Sequence, residues 1–175
     1  MRLNRRRPGL VEHQGSVYVF GGYREDYMKE SERISLDQKT WSDVEDMIIG
    51  RSGVTPVVLE DKAYLAGDGS SLVEEYDFST DSYHLLSFKL PFNSWVTAFS
   101  LASTLYFLQR NVLVQARKGA SGLEKANQKT LDSKNWWYCQ ASPVTYLGKV
   151  YFPRYNEIWQ FDPESLSLVK VNEFS

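Results

Sequence analysis

Cysteine is nearly absent from this chain: Cys139 is the only one, so no internal disulfide framework holds it together. Such cysteine usage fits a reducing compartment. Histidine is almost as scarce. With only His13 and His84 available, a serine–histidine–aspartate grouping has no support and no Cys/His set has metal-ligand spacing. Long apolar runs are missing too. The start, Met1-Arg2-Leu3-Asn4-Arg5-Arg6-Arg7, is basic but leads into no apolar signal core, and no later stretch approaches a membrane span. Nor is there an excess of either charge: the formal net charge is −2, which steers the chain toward neither nucleic acid nor an acidic membrane. The expectation is a cytoplasmic protein, with a nuclear location as the other option. It is expected to bind no cofactor and no metal.

Aromatic residues, by contrast, make up 14% of the 175 positions, and they suit half-buried pleated surfaces. They recur in a phrase. Ser16-Val17-Tyr18-Val19-Phe20-Gly21-Gly22 returns as Lys62-Ala63-Tyr64-Leu65-Ala66-Gly67-Asp68, then as Thr104-Leu105-Tyr106-Phe107-Leu108-Gln109-Arg110, then as Lys149-Val150-Tyr151-Phe152-Pro153-Arg154-Tyr155. The tyrosines stand 46, 42 and 45 residues apart. A strand-rich unit at a period of roughly 40–50 residues predicts a β-propeller.

Each phrase is preceded by an apolar strand, such as Val54–Leu59 or Trp95–Leu101. In three of the four units it is followed by two more runs, for example Val73–Phe78 and Ser82–Leu86. Turns such as Phe78-Ser79-Thr80-Asp81-Ser82 and Asp162-Pro163-Glu164-Ser165 connect the last two strands. The predicted fold is therefore all-β, in four-stranded antiparallel blades with strands a to d. The approximate blade limits are 5–46, 47–90, 91–134 and 135–175, within a single domain over 1–175.

These residues resemble the kelch-repeat family. The first unit carries Tyr18, Gly21-Gly22, Glu32 and Trp41 in that family's order. The second carries Arg51-Ser52-Gly53-Val54, Tyr64, Gly67-Asp68-Gly69, Glu75-Tyr76-Asp77 and Tyr83. In the third and fourth the double glycine becomes Gln109-Arg110 and Pro153-Arg154. The glycine pair is expected to end strand b at positive φ, close to its neighbour. Trp41, Tyr83 and the tyrosines are expected to pack between blades.

The resemblance implies rings of about six or seven blades, whereas four complete units are present here. Three readings stay open: a fragment of a larger ring, a four-bladed ring, or an open half completed by another chain. The last would expose strand edges and a blade face, so a fragment or a partner-completed ring is favoured.

The resemblance also implies recognition rather than catalysis. The copper oxidases of the family need histidine, tyrosine and thioether-cysteine ligands that two histidines and Cys139 do not assemble. Gly67-Asp68-Gly69 reads as a strand-end turn rather than a phosphate loop, and Asp77, Asp81 and Asp162 as hairpin residues rather than a calcium loop.

In an up-and-down blade the b–c and d–a loops share one face, and loops on a rigid scaffold collect recognition residues. The expected partner-binding set is Arg24, Tyr27, Arg51, Phe92, Arg110, Arg154 and Tyr155, directed at a protein or acidic peptide. Arg51 leads it, because it matches the family's arginine before the innermost strand, which in the ubiquitin-ligase adaptors lines the central mouth and binds acidic peptides. A guanidinium offers a carboxylate two parallel hydrogen bonds. The other reading of Arg51 is an arginine that satisfies loop carbonyls.

The lysine-rich Lys118–Lys129 lacks β-branched residues and interrupts the third unit. It is expected either in place of that blade's outer strand or as a solvated loop, with a docking arm for an acidic partner as the alternative. Two further readings compete with a protein-interaction module: an enzyme or lectin holding a sugar-like ligand in the central mouth, and a structural subunit whose ring a partner chain completes.

Overall fold

The structure, a computed structural model, describes residues 2–119, 122–131, 142–154 and 157–171. It holds four four-stranded antiparallel meanders, consistent with propeller blades, and no helix among the described residues. Blade 1 comprises β1 (Gly9–His13), β2 (Ser16–Phe20), β3 (Ser31–Ser35) and β4 (Trp41–Val44). Blade 2 comprises β5 (Ser52–Leu59), β6 (Lys62–Asp68), β7 (Ser70–Asp77) and β8 (Ser82–Lys89). Blade 3 is β9 (Thr97–Leu101), β10 (Thr104–Gln109), β11 (Val112–Gly119) and β12 (Gly122–Thr130). Blade 4 is β13 (Val144–Tyr146), β14 (Lys149–Arg154), β15 (Glu157–Asp162) and β16 (Ser167–Lys170). The chain divides into two compact units, Met1–Ala98 and Phe99–Ser175.

The tyrosine phrases form the second strand of each blade. Flanked by strands on both sides, those of blades 2 and 3 read as near-continuous buried runs; all six residues of β10 are buried. In the first unit the trailing face of blade 1, with Val11, Tyr18 and Phe20, packs on the leading face of blade 2, with Ala63, Leu65, Tyr76 and Tyr83. Tyr76 receives Phe20 edge-on at 5.4 Å, and the Tyr83 hydroxyl shares a 3.0 Å hydrogen bond with Ser31. In the second unit Phe99, Tyr106 and Leu108 of blade 3 meet Val150, Phe152, Phe161 and Leu168 of blade 4. Phe99 stacks on Tyr106 at 5.0 Å, while Phe161 stands edge-on to both.

Tyr18, Tyr83 and Tyr106 thus serve between blades, as their recurrence predicts. Trp41 and Tyr151 are only half-buried and take no part in either cluster.

The glycine pair behaves as its chemistry requires. Gly21 has φ +55° and Gly22 φ +119°. A β-carbon on Gly21 would stand 2.8 Å from the Arg51 carbonyl oxygen, so both conformation and space exclude a side chain. The Gly22 N–H donates to that same carbonyl at 2.8 Å, stitching blade 1 to the start of blade 2.

Of the readings open for the lysine-rich segment, the solvated loop is excluded over Gly122–Thr130, which takes the outer-strand place in blade 3, paired along β11 with a bulge at Gln115/Ala116. Only its Leu123 is buried, so backbone pairing rather than an apolar face holds it.

Candidate functional site

Two buried arginines organise the loop face of the first unit. Arg51, just before β5, donates through Nε to Glu74 Oε1 at 3.0 Å and through Nη1 to the Ser70 carbonyl at 3.2 Å. Glu74 also accepts from the backbone N–H of Ile48 at 2.7 Å and of Ile49 at 3.3 Å. Blade 1 repeats the arrangement. Arg5 donates to Glu32 Oε1 at 2.8 Å and to the Gly21 carbonyl at 2.8 Å, and Glu32 accepts from the N–H groups of Arg2 and Leu3. In both blades the glutamate stands on the third strand and holds the backbone two and three residues ahead of the arginine. All four side chains are out of contact with water. Burial pulls the Arg51 guanidinium below its ordinary value, against the charge of Glu74.

The expectation for Arg51 is therefore corrected. Its side chain is wholly enclosed and committed to Glu74 and Ser70, so it is a strut for the loop rather than a contact for a partner. Arg5, overlooked by sequence reasoning, plays the same part. The signal was present: each arginine stands thirteen residues before its blade's tyrosine, Tyr18 or Tyr64.

Around these struts the first unit presents a continuous polar and aromatic surface. Arg6 and Tyr23 exchange backbone hydrogen bonds at 2.8 Å. Tyr23 meets Tyr27 edge-on at 5.9 Å, and Tyr27, 45% exposed, lies along Gly69. Next to Gly69, the carboxylate of Asp68 and the ring of Trp95 flank Gly53. Trp95 is 41% exposed, and the Arg7 guanidinium carbon sits 4.5 Å above its ring. Burial pushes the Asp68 carboxyl up, opposed by the charge of Arg7 and the backbone N–H of Trp95.

Of the expected set, Arg24 and Tyr27 lie exposed on this surface. Phe92 is half-buried in the loop between β8 and β9. Arg110 belongs to the second unit, exposed at the β10–β11 turn with φ +49°. Arg154 ends β14, but its side chain lies outside the described residues, as does Tyr155. The structure adds Arg7 and Trp95, which no motif marked, because the chain brings them together from 88 positions apart.

The opposite face carries a polar cleft of about 410 Å³ between blades 1 and 2, lined by His13, Arg33, Lys62 and Asp77 among others. Its lysine is paired locally: Lys62 bonds Glu75 and lies 3.7 Å from Asp77. Among the described residues no group of three or more His, Cys, Asp or Glu side chains is placed to hold a metal ion.

Four-stranded meanders packed face to face within each unit, with blade 1's glycine turn stitched to the start of blade 2, define the class of blade-repeat proteins. Residues 4–48 match the family model described as the Kelch motif, so blade 1 carries that motif and the chain is consistent with the kelch-repeat family. The match encloses Arg5, Gly21-Gly22, Glu32 and Met47, the residues that build the first strut and its turn. No curated protein matches the chain.

Proposed function

We propose that the chain is a non-catalytic protein-interaction module, recognising an acidic peptide or protein segment through the loop face of its first unit. The observation that carries this reading is the exposed Trp95 ring beneath the Arg7 guanidinium. A guanidinium over an aromatic face is attracted by the ring's electrons, and its N–H groups are the donors that suit a carboxylate. Arginine, tyrosine and tryptophan are the side chains that dominate interface energetics, and here Arg24, Tyr23 and Tyr27 extend the patch. The buried Arg5–Glu32 and Arg51–Glu74 pairs hold the loops fixed, which lowers the ordering cost of binding.

The test is selection of binders from a displayed random-peptide library. Enrichment of Asp- and Glu-containing peptides is expected. Trp95→Ala or Arg7→Ala should then weaken the selected peptide about tenfold or more, corresponding to about 1.4 kcal/mol. Arg110→Ala, on the other unit, should leave it unchanged. Selected peptides without acidic residues, or insensitive to Arg7 and Trp95, would refute the reading.

A further inference from the structure

The polar cleft between blades 1 and 2 has unlike walls. Blade 1 contributes His13, Gln14, Ser16, Tyr18 and Arg33, with no carboxylate among them. Blade 2 contributes three carboxylates, Glu60, Asp61 and Asp77, against one lysine, and Lys62 is already bonded to Glu75. Hydrogen bonds from Ser79 hold the Asp77 carboxyl below its ordinary value, so that wall keeps its charge at neutral pH. Asp61, 75% exposed, has only the imidazole of His13 near it, at 3.6 Å.

Opposite charges that share a cleft ordinarily pair across it, yet Arg33 does not. Its Nε donates to Ser42 Oγ at 3.1 Å and its Nη1 to the Tyr18 hydroxyl at 3.4 Å, and no carboxylate among the described residues reaches it. Tyr18 is only 5% exposed, and its hydroxyl accepts that bond while its own proton meets no acceptor among the described residues. The repeat shows that support of the tyrosine does not call for an arginine. The place opposite it on the third strand belongs to Glu75 in blade 2, Gln115 in blade 3 and Gln160 in blade 4. Gln115 bonds the Tyr106 hydroxyl at 3.3 Å with no charge at all. In blade 1, therefore, the guanidinium adds what bracing does not need: a cation beside a spare hydroxyl proton, across from carboxylates.

We propose that this cleft, of about 410 Å³, binds a small zwitterion, whose carboxylate accepts from Arg33 and the Tyr18 hydroxyl while its ammonium group faces Asp61 and Asp77. A ligand with both charges satisfies both walls, whereas a simple anion meets the acids of blade 2 and a simple cation meets Arg33. The cleft opens on the face away from Arg7 and Trp95, so this site and the peptide-binding reading stand or fall separately.

The test is an amide-shift titration of the full chain with β-alanine, γ-aminobutyrate and ε-aminocaproate, zwitterions of increasing span. At least one should give saturable shifts at Tyr18 and Lys62. Butyrate and butylamine, each carrying one of the two charges, should bind about tenfold more weakly or worse. Arg33→Gln can keep the bond to the tyrosine that Gln115 makes in blade 3, so the fold should be retained while affinity for the tightest zwitterion falls about tenfold. Asp61→Asn should weaken that zwitterion but not butyrate. No saturable shift with any of the three, equal affinity for butyrate, or binding indifferent to Arg33→Gln would overturn the proposal.

Discussion

At the scale of single residues, the buried Arg51–Glu74 pair is the feature with the largest energetic stake. Two charges taken from water repay that cost only through close geometry, and removal of one leaves the other stranded. Glu74→Ala is therefore expected to cost about 3–5 kcal/mol, read from urea unfolding of the full chain. Replacing both partners with apolar residues of similar volume should be far milder, because Arg51 Nη2 and Arg5 Nε have no hydrogen-bond partner among the described residues. Blade 3 already illustrates this, placing buried Val114 opposite Phe107 where blade 2 places Glu74 opposite Leu65. Asp68 offers a pH test. Burial raises its pKa, so the folded state takes the proton before the unfolded chain does. Its ionisation penalty is complete above the folded pKa and fades as pH falls through it. Asp68→Asn should thus raise the melting temperature at pH 7, and the gain should shrink toward zero once the pH drops below both pKa values. The sequence located Arg51 by its place before an inner strand but not its role. A motif gives position, whereas the choice between a mouth and a carboxylate 23 residues onward is made by the packing of Glu74 into the same pocket.

Among elements, the strands were legible wherever burial left a period, and illegible where it did not. Strands b and c of blades 1 and 2 carry apolar residues on faces pressed between blades, so pattern and structure agree. The outer strand of blade 3 presents almost every side chain to water, and a strand held by backbone bonds alone has no apolar alternation to detect. The surface proposed for binding was legible only in part for a related reason. Arg24 and Tyr27 sit in one loop and could be read locally, while Arg7 and Trp95 meet only after two blades have folded. The turns give the sharpest element-scale prediction. Gly21→Ala demands both a left-handed residue, at about 1–2 kcal/mol, and displacement of the Arg51 carbonyl, so a loss above about 2 kcal/mol is expected. Gly148 shares a positive φ, +71°, but has open space around it, and Gly148→Ala should cost only about 1 kcal/mol. Equal losses in thermal unfolding for the two variants would contradict the role assigned to the Arg51 carbonyl.

At the scale of the molecule, an aromatic cluster within each unit implies that stability is distributed by unit rather than pooled. In repeat architectures it is close to a sum of unit and nearest-neighbour terms. The core of the second unit centres on Phe161, which Phe99 and Tyr106 both meet edge-on within 5.0 Å. Phe161→Ala removes a large buried ring and leaves a cavity, at about 3–5 kcal/mol. The loss should fall first on amides of β10, β14 and β15, whose residues form that cluster. The first unit has its own cluster of Tyr18, Phe20, Leu65 and Tyr76 and should keep most of its protection. Hydrogen exchange followed peptide by peptide distinguishes the outcomes. Faster exchange confined to residues 99–171 supports two thermodynamic units. An equal increase across β2, β6 and β7 would mean that the chain opens only as a whole. The distinction bears on recognition, because a first unit that keeps its own core can hold Arg7 and Trp95 in place while the second unit opens.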